Sequence, residues 1–415
     1  MSDIIIIGGG IIGLSSAYYL QKAGNRVTIL DKGDLTDNCS LGNAGMIVPS
    51  HFIPLATPGM ISQGIKWMFN SKSPFYVKPS LNFDLISWGL KFMKAANEKH
   101  VANSAIPLRD LSLLSKKLYS TLGQETGIDF ELTDKGILMF YKTEHAAEEE
   151  ADLAKKAREL GLDMEVLTPE QCKALQPKLN LDVLGAVHYR CDAHVYPNAL
   201  IAGLTKYLEA KGVNIVRNHE VTRIEKSGRN ITKVFTGTKE WTADQFIIAG
   251  GSWSPAIAKM ADMNVPLMPG KGYSFMVPEP EHRMTIPALL AEARVAITPM
   301  HGQLRYGGTM ELDKINKRIN MNRVRGIVES VPKYFPDLHP KIPAEKDIWF
   351  GFRPASPDGL PYIGRSNKYD NLVVATGHGM MGLSLGPATG ELVSEIITEK
   401  PTSIEISAFS PNRYN

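Results

Sequence analysis

The chain has 415 residues, of which 43% are hydrophobic and 21% charged, and its formal net charge is +3. A chain of this length is expected to fold into about two or three lobes, and a balanced charge without dense Lys/Arg runs gives no support for nucleic acid binding. No apolar run approaches the ~18 residues of a membrane span, and the apolar segment from Ile4 leaves no room for a secretion signal. Cys39, Cys172 and Cys191 are widely spaced, so we expect a reducing cytoplasmic compartment and neither a disulfide scaffold nor a metal site.

The first strong pattern lies in residues 4–31. An apolar run, Ile4–Ile7, enters the glycine-rich sequence Gly8–Gly13, and an amphipathic segment and a second apolar run then lead to Asp31. This order predicts a strand, a tight turn, a helix and a second strand, which form a βαβ unit for a dinucleotide. The alternative is a glycine-rich turn with only a structural role.

Each part of this motif has a physical task. Gly8 permits the turn, Gly10 lets the backbone approach the pyrophosphate, and Gly13 lets helix and strand pack closely. The free N–H groups at the helix N-terminus face the phosphate charge, and Asp31 accepts hydrogen bonds from ribose hydroxyls. One glycine motif is weak evidence by itself, but strand, helix and terminal acid all stand in the expected order here.

Weaker patterns follow along the chain. Residues 39–46 are small and polar and predict a loop beside a ligand, and prolines interrupt an aromatic-rich stretch, so residues 54–100 are expected to form short helices joined by turns. The remaining pattern predicts helices around residues 104–126, 144–160 and 197–211, strands at 136–141 and 213–217, and a hairpin of 221–226 and 231–236 turning at 228–230.

The C-terminal part begins with a buried strand that runs into a second glycine turn, at residues 244–253. Strands are predicted within 270–311, a helical region near 314–334, strands at 348–352 and 372–375, a turn at 354–359, and a helix at 385–398. We therefore predict an α/β fold with a discontinuous Rossmann-type nucleotide-binding domain of residues 1–58, 192–262 and 344–415. Residues 59–191 and 263–343 are predicted to form a second, α+β substrate domain on an antiparallel or mixed sheet.

A third glycine-rich sequence, Gly377–Leu383, formally repeats the dinucleotide pattern after a predicted strand. No strand ending in an acid follows its helix, so a second dinucleotide site is not expected. A helix N-terminus can instead stabilise the negative charge that a flavin ring acquires on reduction. One βαβ unit at the start and an anion-stabilising turn at the end favour FAD over NAD.

These residues resemble the D-amino-acid oxidase superfamily of FAD-dependent amine oxidoreductases, and within it the bacterial D-amino acid dehydrogenases of the small-subunit type. The matching segments run in order along nearly the whole chain. They are Gly8–Gly13 with Asp31, Asn43–Gly45, Pro58–Met60 with Lys66–Phe69, Lys271–Ser274, Ala296–Thr298, Gly307–Gly308, Gly351–Pro354 with Pro357–Gly359, and Thr376–Gly379. The last two blocks together are far more specific than any single glycine motif.

The resemblance implies oxidative deamination of an amine: hydride leaves the substrate α-carbon for the flavin, and water hydrolyses the resulting imine. Arg353 is predicted to bind the substrate carboxylate through two parallel N–H bonds; the alternative is a structural pair with Asp358. Tyr273 either contacts substrate or is a core aromatic residue, and His378 is either catalytic or positions backbone. His51 and Tyr306 are weaker candidates. Relatives of glycine oxidase type carry a substrate tyrosine near Val295–Thr298, which this chain lacks.

The cofactor is predicted to be non-covalent FAD, since no cysteine lies in the Arg353 or Gly379 segments, and no metal is expected. Its predicted contacts fall into groups from the ribose and pyrophosphate to the flavin ring. They are Gly8, Gly10, Ile11, Ile12, Gly13, Asp31 and Lys32; Ser40, Asn43, Ala44, Gly45 and Met46; Val221, Gly250, Gly251 and Trp253; and Arg353, Gly379, Met380, Met381, Gly382 and Leu383.

The electron acceptor is predicted to be a quinone or another acceptor that is not oxygen, because residues 58–93 resemble the dehydrogenases. Aromatic residues there either pack a substrate lid or, with nearby lysines, touch a membrane surface, and the sequence leaves both interpretations open. The residues are Trp67, Phe69, Phe75, Tyr76 and Trp88 with Lys66, Lys72 and Lys78. Three other functions remain open: an oxygen-using glycine or sarcosine oxidase, a D-hydroxyproline dehydrogenase, and a non-catalytic flavoprotein subunit.

Overall fold

The computed structural model describes residues 1–59, 75–77, 83–279, 281 and 283–415. Its helices, in chain order, are α1 Ile11–Lys22, α2 Phe83–Ala95, α3 Glu98–Thr126, α4 Glu144–Glu159, α5 Pro169–Leu175, α6 Pro197–Ala210, α7 Ser254–Met260, α8 Met321–Ser330 and α9 Gly382–Ile397. Its strands are β1 Asp3–Ile7, β2 Arg26–Leu30, β3 Met46–Ile47, β4 Phe75–Val77, β5 Ile137–Tyr141, β6 Met164–Leu167, β7 Gly185–Tyr189, β8 Ala193–His194, β9 Asn214–Val216, β10 Arg223–Ser227, β11 Asn230–Thr236, β12 Lys239–Trp241, β13 Gln245–Ile248, β14 Met268–Pro278, β15 Ala288–Leu290, β16 Val295–Met300, β17 Gln303–Leu312, β18 Trp349–Ala355, β19 Tyr362–Arg365 and β20 Leu372–Thr376.

A six-stranded sheet has the order β19-β20-β13-β1-β2-β9. All neighbours pair in parallel except β19, which is antiparallel to β20. The chain moves outward from β1 in both directions, to β2 on one side and to β13 on the other. In such sheets ligands bind beyond the carboxyl ends of the strands at this switch point. The predicted Rossmann-type arrangement is confirmed.

A nine-stranded sheet has the order β18-β14-β17-β16-β15-β5-β7-β6, with β4 beside β17. Its pairs are antiparallel apart from β15 with β5 and β17 with β4. The predicted antiparallel or mixed second sheet is thus confirmed. Strand β18 reaches it from the C-terminal part of the chain and pairs with β14, so that Gly270 lies opposite Arg353.

Most predicted elements lie within two residues of their observed ends, but several predictions were wrong in detail. The turn predicted at 354–359 starts later, because β18 continues to Ala355. The helix predicted over 314–334 is shorter: Asn320 caps α8 by accepting from the backbone N–H of Asn322, and a short 3₁₀ turn, Val331–Lys333, follows. The strands that were missed are each short or apolar without alternation; they are β3, β4, β6, β7, β8, β12 and β19.

The aromatic stretch also differs from its prediction. The short helices expected over 54–100 are one helix, α2, and the start of the long α3, whose N-cap Asn97 accepts from the backbone N–H of His100. Trp88 is not a surface residue: it is 6% exposed, and its indole N–H donates to the carbonyl of Ala355 at 2.8 Å. Phe75 and Tyr76 are half-buried. The predicted surface residues Trp67, Phe69, Lys66, Lys72 and Lys78 lie outside the described residues.

The exposed side of α2 is apolar. Phe83, Ile86, Leu90 and Met93 are exposed by 86%, 48%, 59% and 50%, and their spacing places them on one stripe of the helix, opposite Trp88. We call these four residues the α2 stripe. Among the helices of the described chain, none is both long enough and apolar enough to cross a bilayer.

Candidate active site

Three glycine turns meet at one edge of the six-stranded sheet. Gly8 follows β1, Gly250 and Gly251 follow β13, and Gly377 follows β20, and these three strands are neighbours. Because all three run in parallel, their carboxyl ends open onto the same cavity. The cavity continues between the two sheets and has a volume of about 790 Å³, within the usual range for small-molecule sites.

The first glycine turn packs against the start of α1. Gly8 has φ +118°, and a Cβ on Gly13 would stand 1.9 Å from the carbonyl oxygen of Gly8, so neither position tolerates a side chain. The N-cap residue of α1 is Gly10, which has no side chain to bond the free N–H groups of the first turn; of these groups, that of Ile11 donates to the hydroxyl of Ser40 at 3.1 Å. This leaves a helix N-terminus with its positive end at the cavity, which suits a phosphate.

Asp31 stands at the end of β2 beside this turn. Its carboxylate accepts from the backbone N–H of Gly9 at 2.6 Å and from that of Gly33 at 2.7 Å. Each carboxylate oxygen can accept further bonds, so these contacts fix the side chain without using all its capacity. The ammonium of neighbouring Lys32 lies 3.5 Å from the ring centroid of Trp253, which joins the β2 and β13 sides of the wall.

The C-terminal turn closes the other end of the cavity. Residues Gly379–Met381 form a 3₁₀ turn that leads into α9, and no side chain caps that helix either. The Asn43 amide donates to the carbonyl of Met380 at 3.3 Å, which ties the two ends of the chain together. Two helix N-termini therefore open on one cavity.

The residues proposed from the sequence gather along this cavity, except for Gly13, Gly45 and the weaker candidate Tyr306, a buried core residue whose ring stacks on Phe275. Those that line it are Gly8, Gly10, Ile11, Ile12, Asp31, Lys32, Ser40, Asn43, Ala44, Met46, Val221, Gly250, Gly251, Trp253, Tyr273, Arg353, His378, Gly379, Met380, Met381, Gly382 and Leu383. Gly13 lies behind the first turn. Gly45 has φ +77° and lies behind the loop, where its carbonyl accepts from the N–H of Val195 at 2.8 Å.

Arg353 places a guanidinium on the cavity wall. Its Nη1 donates to the carbonyl of Thr309 at 2.6 Å, and it forms no ion pair with any carboxylate of the described residues. Burial lowers the pKa of this arginine to about 10, which leaves it charged at neutral pH. A Cβ on Gly272 would stand 2.1 Å from Nη1, so a glycine is needed for the side chain to lie across β14.

The alternative partner of Arg353 is already engaged. Asp358 pairs with Arg413 through two bonds, 2.6 Å from Nε to one carboxylate oxygen and 3.0 Å from Nη2 to the other. The structural pair between Arg353 and Asp358 that the sequence left open is therefore absent. Arg353 keeps donors available for a ligand in the cavity.

The other two proposed catalytic side chains bond to protein groups. The hydroxyl of Tyr273, which is 1% exposed, accepts from the backbone N–H of Asn320 at 3.1 Å and lies 3.3 Å from a carboxylate oxygen of Glu311. His378 has its Nε2 3.0 Å from the hydroxyl of Thr389, and burial lowers its pKa to about 3. These contacts favour the core and positioning alternatives, and a catalytic role for either stays a prediction.

Sequence reasoning missed Arg305, which holds the small polar loop in place. Its Nη1 donates to the carbonyls of Leu41 at 2.8 Å and Asn43 at 2.6 Å, and its Nη2 donates to the side chain of Asn198 at 2.8 Å. Burial lowers its pKa to about 10. No local signal could have revealed this role, because the partners lie more than a hundred positions away in the sequence.

A second missed group joins residues from distant segments. Ser50 contacts both Asp192 and His51, and His51 lines the cavity. His51 had only a weak signal in the sequence and Asp192 had none. Arg294 also lines the cavity.

The donor set of the cavity fits an FAD. An uncapped helix N-terminus and a carboxylate stand together at one end, as a pyrophosphate and a ribose require, and a second uncapped helix N-terminus stands at the other end. Apolar and aromatic residues line the length between them, including Val221, Trp253 and Phe352.

Comparison with known proteins identifies close relatives in sequence. A family profile described as "DAO: FAD dependent oxidoreductase" matches residues 3–396. The D-amino acid dehydrogenase of Helicobacter pylori is 31% identical over 396 residues, which cover 95% of this chain and 94% of the relative. That of Neisseria meningitidis serogroup C is 30% identical over 421 residues and covers 99% of both chains.

Solved structures agree on the fold. Glycine oxidase from Geobacillus kaustophilus superposes with a TM-score of 0.81 at 25% identity, covering 100% of this chain and 99% of that one. L-proline dehydrogenase from P. horikoshii gives a TM-score of 0.77 at 20% identity and covers 100% and 97% of the two chains.

Proposed function

Since the chain belongs to the DAO family of FAD-dependent oxidoreductases, we propose that it is a dehydrogenase that oxidatively deaminates D-amino acids. The observation that carries this proposal is the guanidinium of Arg353, which faces the cavity without a carboxylate partner among the described residues. Burying an unpaired cation costs free energy, and a ligand anion that pairs with the guanidinium offsets this cost. The carboxylate of an amino acid supplies that anion.

Arg353 then fixes the direction of the substrate. Guanidinium binds carboxylate through two parallel N–H bonds, so the α-carbon is held in one orientation. The carbonyl of Thr309 occupies Nη1 and sets the plane of the guanidinium. FAD, when bound, supplies the hydride acceptor. Water hydrolyses the imine product to a keto acid and ammonia.

The contacts with FAD follow the cavity from end to end. We assign the ribose to Asp31, the pyrophosphate to the Gly8–Gly10 turn and the N-terminus of α1, and the ring to the C-terminal turn at Gly379–Leu383. Binding is non-covalent in this proposal. Loss of FAD on replacing Asp31 by Ala, with the fold retained, is the expected result.

The division into two domains follows the two sheets. All six strands of the first sheet come from residues 1–58, 192–262 and 344–415, which we propose as the FAD-binding domain. Eight of the nine strands of the second sheet come from residues 59–191 and 263–343, which we propose as the substrate domain. The exception is β18, which carries Arg353 from the first set of residues into the second sheet.

The electron acceptor proposed here is a quinone, reached by contact with the cytoplasmic face of a membrane. The α2 stripe supports this, because it places four exposed apolar residues together on one helix face, and contiguous apolar surface of this kind is typical of a membrane or protein contact. Lys94 and Lys99 are exposed in and just beyond the same helix and suit anionic headgroups.

The test is an anaerobic screen of the holoenzyme against paired D- and L-amino acids and proline derivatives. The absorbance of the flavin is the readout for each amine. Loss of absorbance with D-amino acids and not with their L-enantiomers is expected. A preference for L-enantiomers, or absorbance that no amine bleaches, refutes the proposal; the second result favours a non-catalytic flavoprotein.

An oxidase is the second candidate, favoured by the TM-score of 0.81 to a glycine oxidase. It differs in using oxygen as the acceptor. Rapid hydrogen peroxide release with glycine or sarcosine in air supports the oxidase, and slow release with fast reduction of a quinone analogue supports the dehydrogenase.

A further inference from the structure

A hydrogen-bonded chain of three side chains leads from the cavity into the protein interior. The hydroxyl of Ser50 lies 2.6 Å from Oδ2 of Asp192 and 3.0 Å from Nδ1 of His51. The backbone N–H of Ser50 also donates to Oδ1 of Asp192, at 2.9 Å. Asp192 is fully buried, Ser50 is 3% exposed, and His51 lines the cavity.

The directions of these bonds follow from the donors available. An ionised carboxylate only accepts, so the Ser50 hydroxyl donates to Asp192 and its oxygen accepts from Nδ1–H of His51. This fixes the tautomer of His51. Its Nε2 carries the lone pair and has no partner among the described residues. The chain therefore ends in a proton acceptor on a residue that lines the cavity.

The environment sets where a proton can rest. Burial raises the pKa of Asp192 to about 7 despite the bonds from Ser50, and burial, assisted by the charge of Arg294, lowers the pKa of His51 to about 4. The other groups that face Asp192 are the Cys191 thiol, the Lys116 ammonium and the Tyr189 phenol. At neutral pH a proton can thus rest on Asp192 but only pass through His51.

The reaction proposed above needs such an acceptor. An amino acid enters as an ammonium, and its nitrogen must be neutral before the α-hydrogen leaves as hydride, because only a free lone pair stabilises the developing imine. His378 and Tyr273 bond to protein groups instead. Arg294, which lines the cavity near His51, opposes a second positive charge there and favours the release of a proton.

We propose that His51, Ser50 and Asp192 form a relay that removes the ammonium proton of the bound substrate. The ammonium N–H bond breaks as a bond forms to Nε2 of His51. The Nδ1 proton moves to the Ser50 oxygen, and the hydroxyl proton of Ser50 moves to Oδ2 of Asp192. One ammonium and one carboxylate become one amine and one carboxylic acid, and no electrons are transferred.

This inference rests on the proposed function, but the two can fail separately. A purely structural Asp192 that orders the loop through the N–H of Ser50 would affect stability and FAD retention without a change in pH profile. A relay determines the pH at which substrate becomes reactive. The pH profile of flavin reduction therefore separates the two roles.

The experiment measures the second-order rate of anaerobic flavin reduction by a D-amino acid from acid to alkaline pH. Wild type is compared with Asp192→Asn, which keeps the size of the side chain and an oxygen to accept from the N–H of Ser50 but removes the carboxylate that accepts the relayed proton. Ser50→Ala is a second variant that also interrupts the relay, and it keeps the test decisive if Asp192→Asn does not fold. His194→Gln is the matched control, since this buried histidine lies two residues from Asp192 and outside the cavity.

In wild type the rate of flavin reduction is expected to rise with pH and to level off near pH 7. In both relay variants the rate should level off only near the pKa of the substrate ammonium itself, because the solvent must then remove its proton. At pH 7 the variants should be about 10²-fold slower and should approach the wild-type rate at alkaline pH. A D-amino acid whose ammonium is acidified by fluorine substitution should largely restore the rate of the variants. Relay variants with the wild-type pH profile overturn the relay, and a wild type that no amine reduces overturns the proposed function itself.

Discussion

Replacing Arg353 by Leu tests the assignment of the substrate carboxylate. Leucine keeps an apolar stem in the space above Gly272 and removes every guanidinium donor. A bidentate contact consists of two charge-assisted hydrogen bonds worth roughly 1.5–3 kcal/mol each, so about 3–6 kcal/mol of binding is lost. This corresponds to a KM about 10²–10⁴-fold higher, since each 1.4 kcal/mol is about tenfold.

The assay is steady-state oxidation of a D-amino acid with a dye acceptor, normalised to bound FAD measured by absorbance. Arg353→Lys should have an intermediate KM, because it keeps the charge and loses the paired geometry. Arg325→Leu is the control, since that arginine is exposed on α8 and does not line the cavity. An Arg353→Leu holoenzyme with a near-native KM would remove Arg353 from substrate binding.

Three further predictions concern other parts of the site. Arg305→Leu should release its loop and lower the FAD content of the purified protein by several-fold, as read from the ratio of flavin to protein absorbance; full FAD occupancy would refute this. Ile86→Ser with Leu90→Ser should abolish flotation with anionic liposomes, whereas Ile342→Ser, exposed elsewhere by 48%, should not; a wild type that does not float ends the membrane proposal. Burial lowers the pKa of His378 to about 3, so the unfolded state binds the proton first and the folded state loses stability as pH falls below the ordinary pKa of 6.5. His378→Gln should therefore flatten the fall in Tm between pH 6.5 and 4, and an unchanged slope would contradict this.

The parts of the site that the sequence revealed are local ones. Gly8, Gly13 and Asp31 lie within one βαβ unit, where each residue type has a fixed task at a fixed spacing. The C-terminal turn could be interpreted in the same way, as a strand, a glycine turn and a helix. Such motifs are readable because their geometry depends on neighbours along the chain.

The parts that the sequence did not reveal depend on tertiary contacts. The sequence predicts Trp88 as a surface aromatic residue, but in the fold β18 supplies the carbonyl of Ala355 as the partner of its indole N–H. Asp192 meets Ser50 across 142 positions, and no spacing rule links them. Arg353 was readable as a cation, but its freedom from Asp358 depends on Arg413 near the C-terminus.

The central claim is that FAD in this cavity takes a hydride from a D-amino acid. The most direct measurement is an anaerobic single turnover of the FAD-reconstituted protein, with flavin absorbance and keto acid quantified together. We expect one keto acid and one ammonia for each flavin bleached. Protein that stays colourless after reconstitution, or flavin that keeps its absorbance while no keto acid forms, would contradict the account.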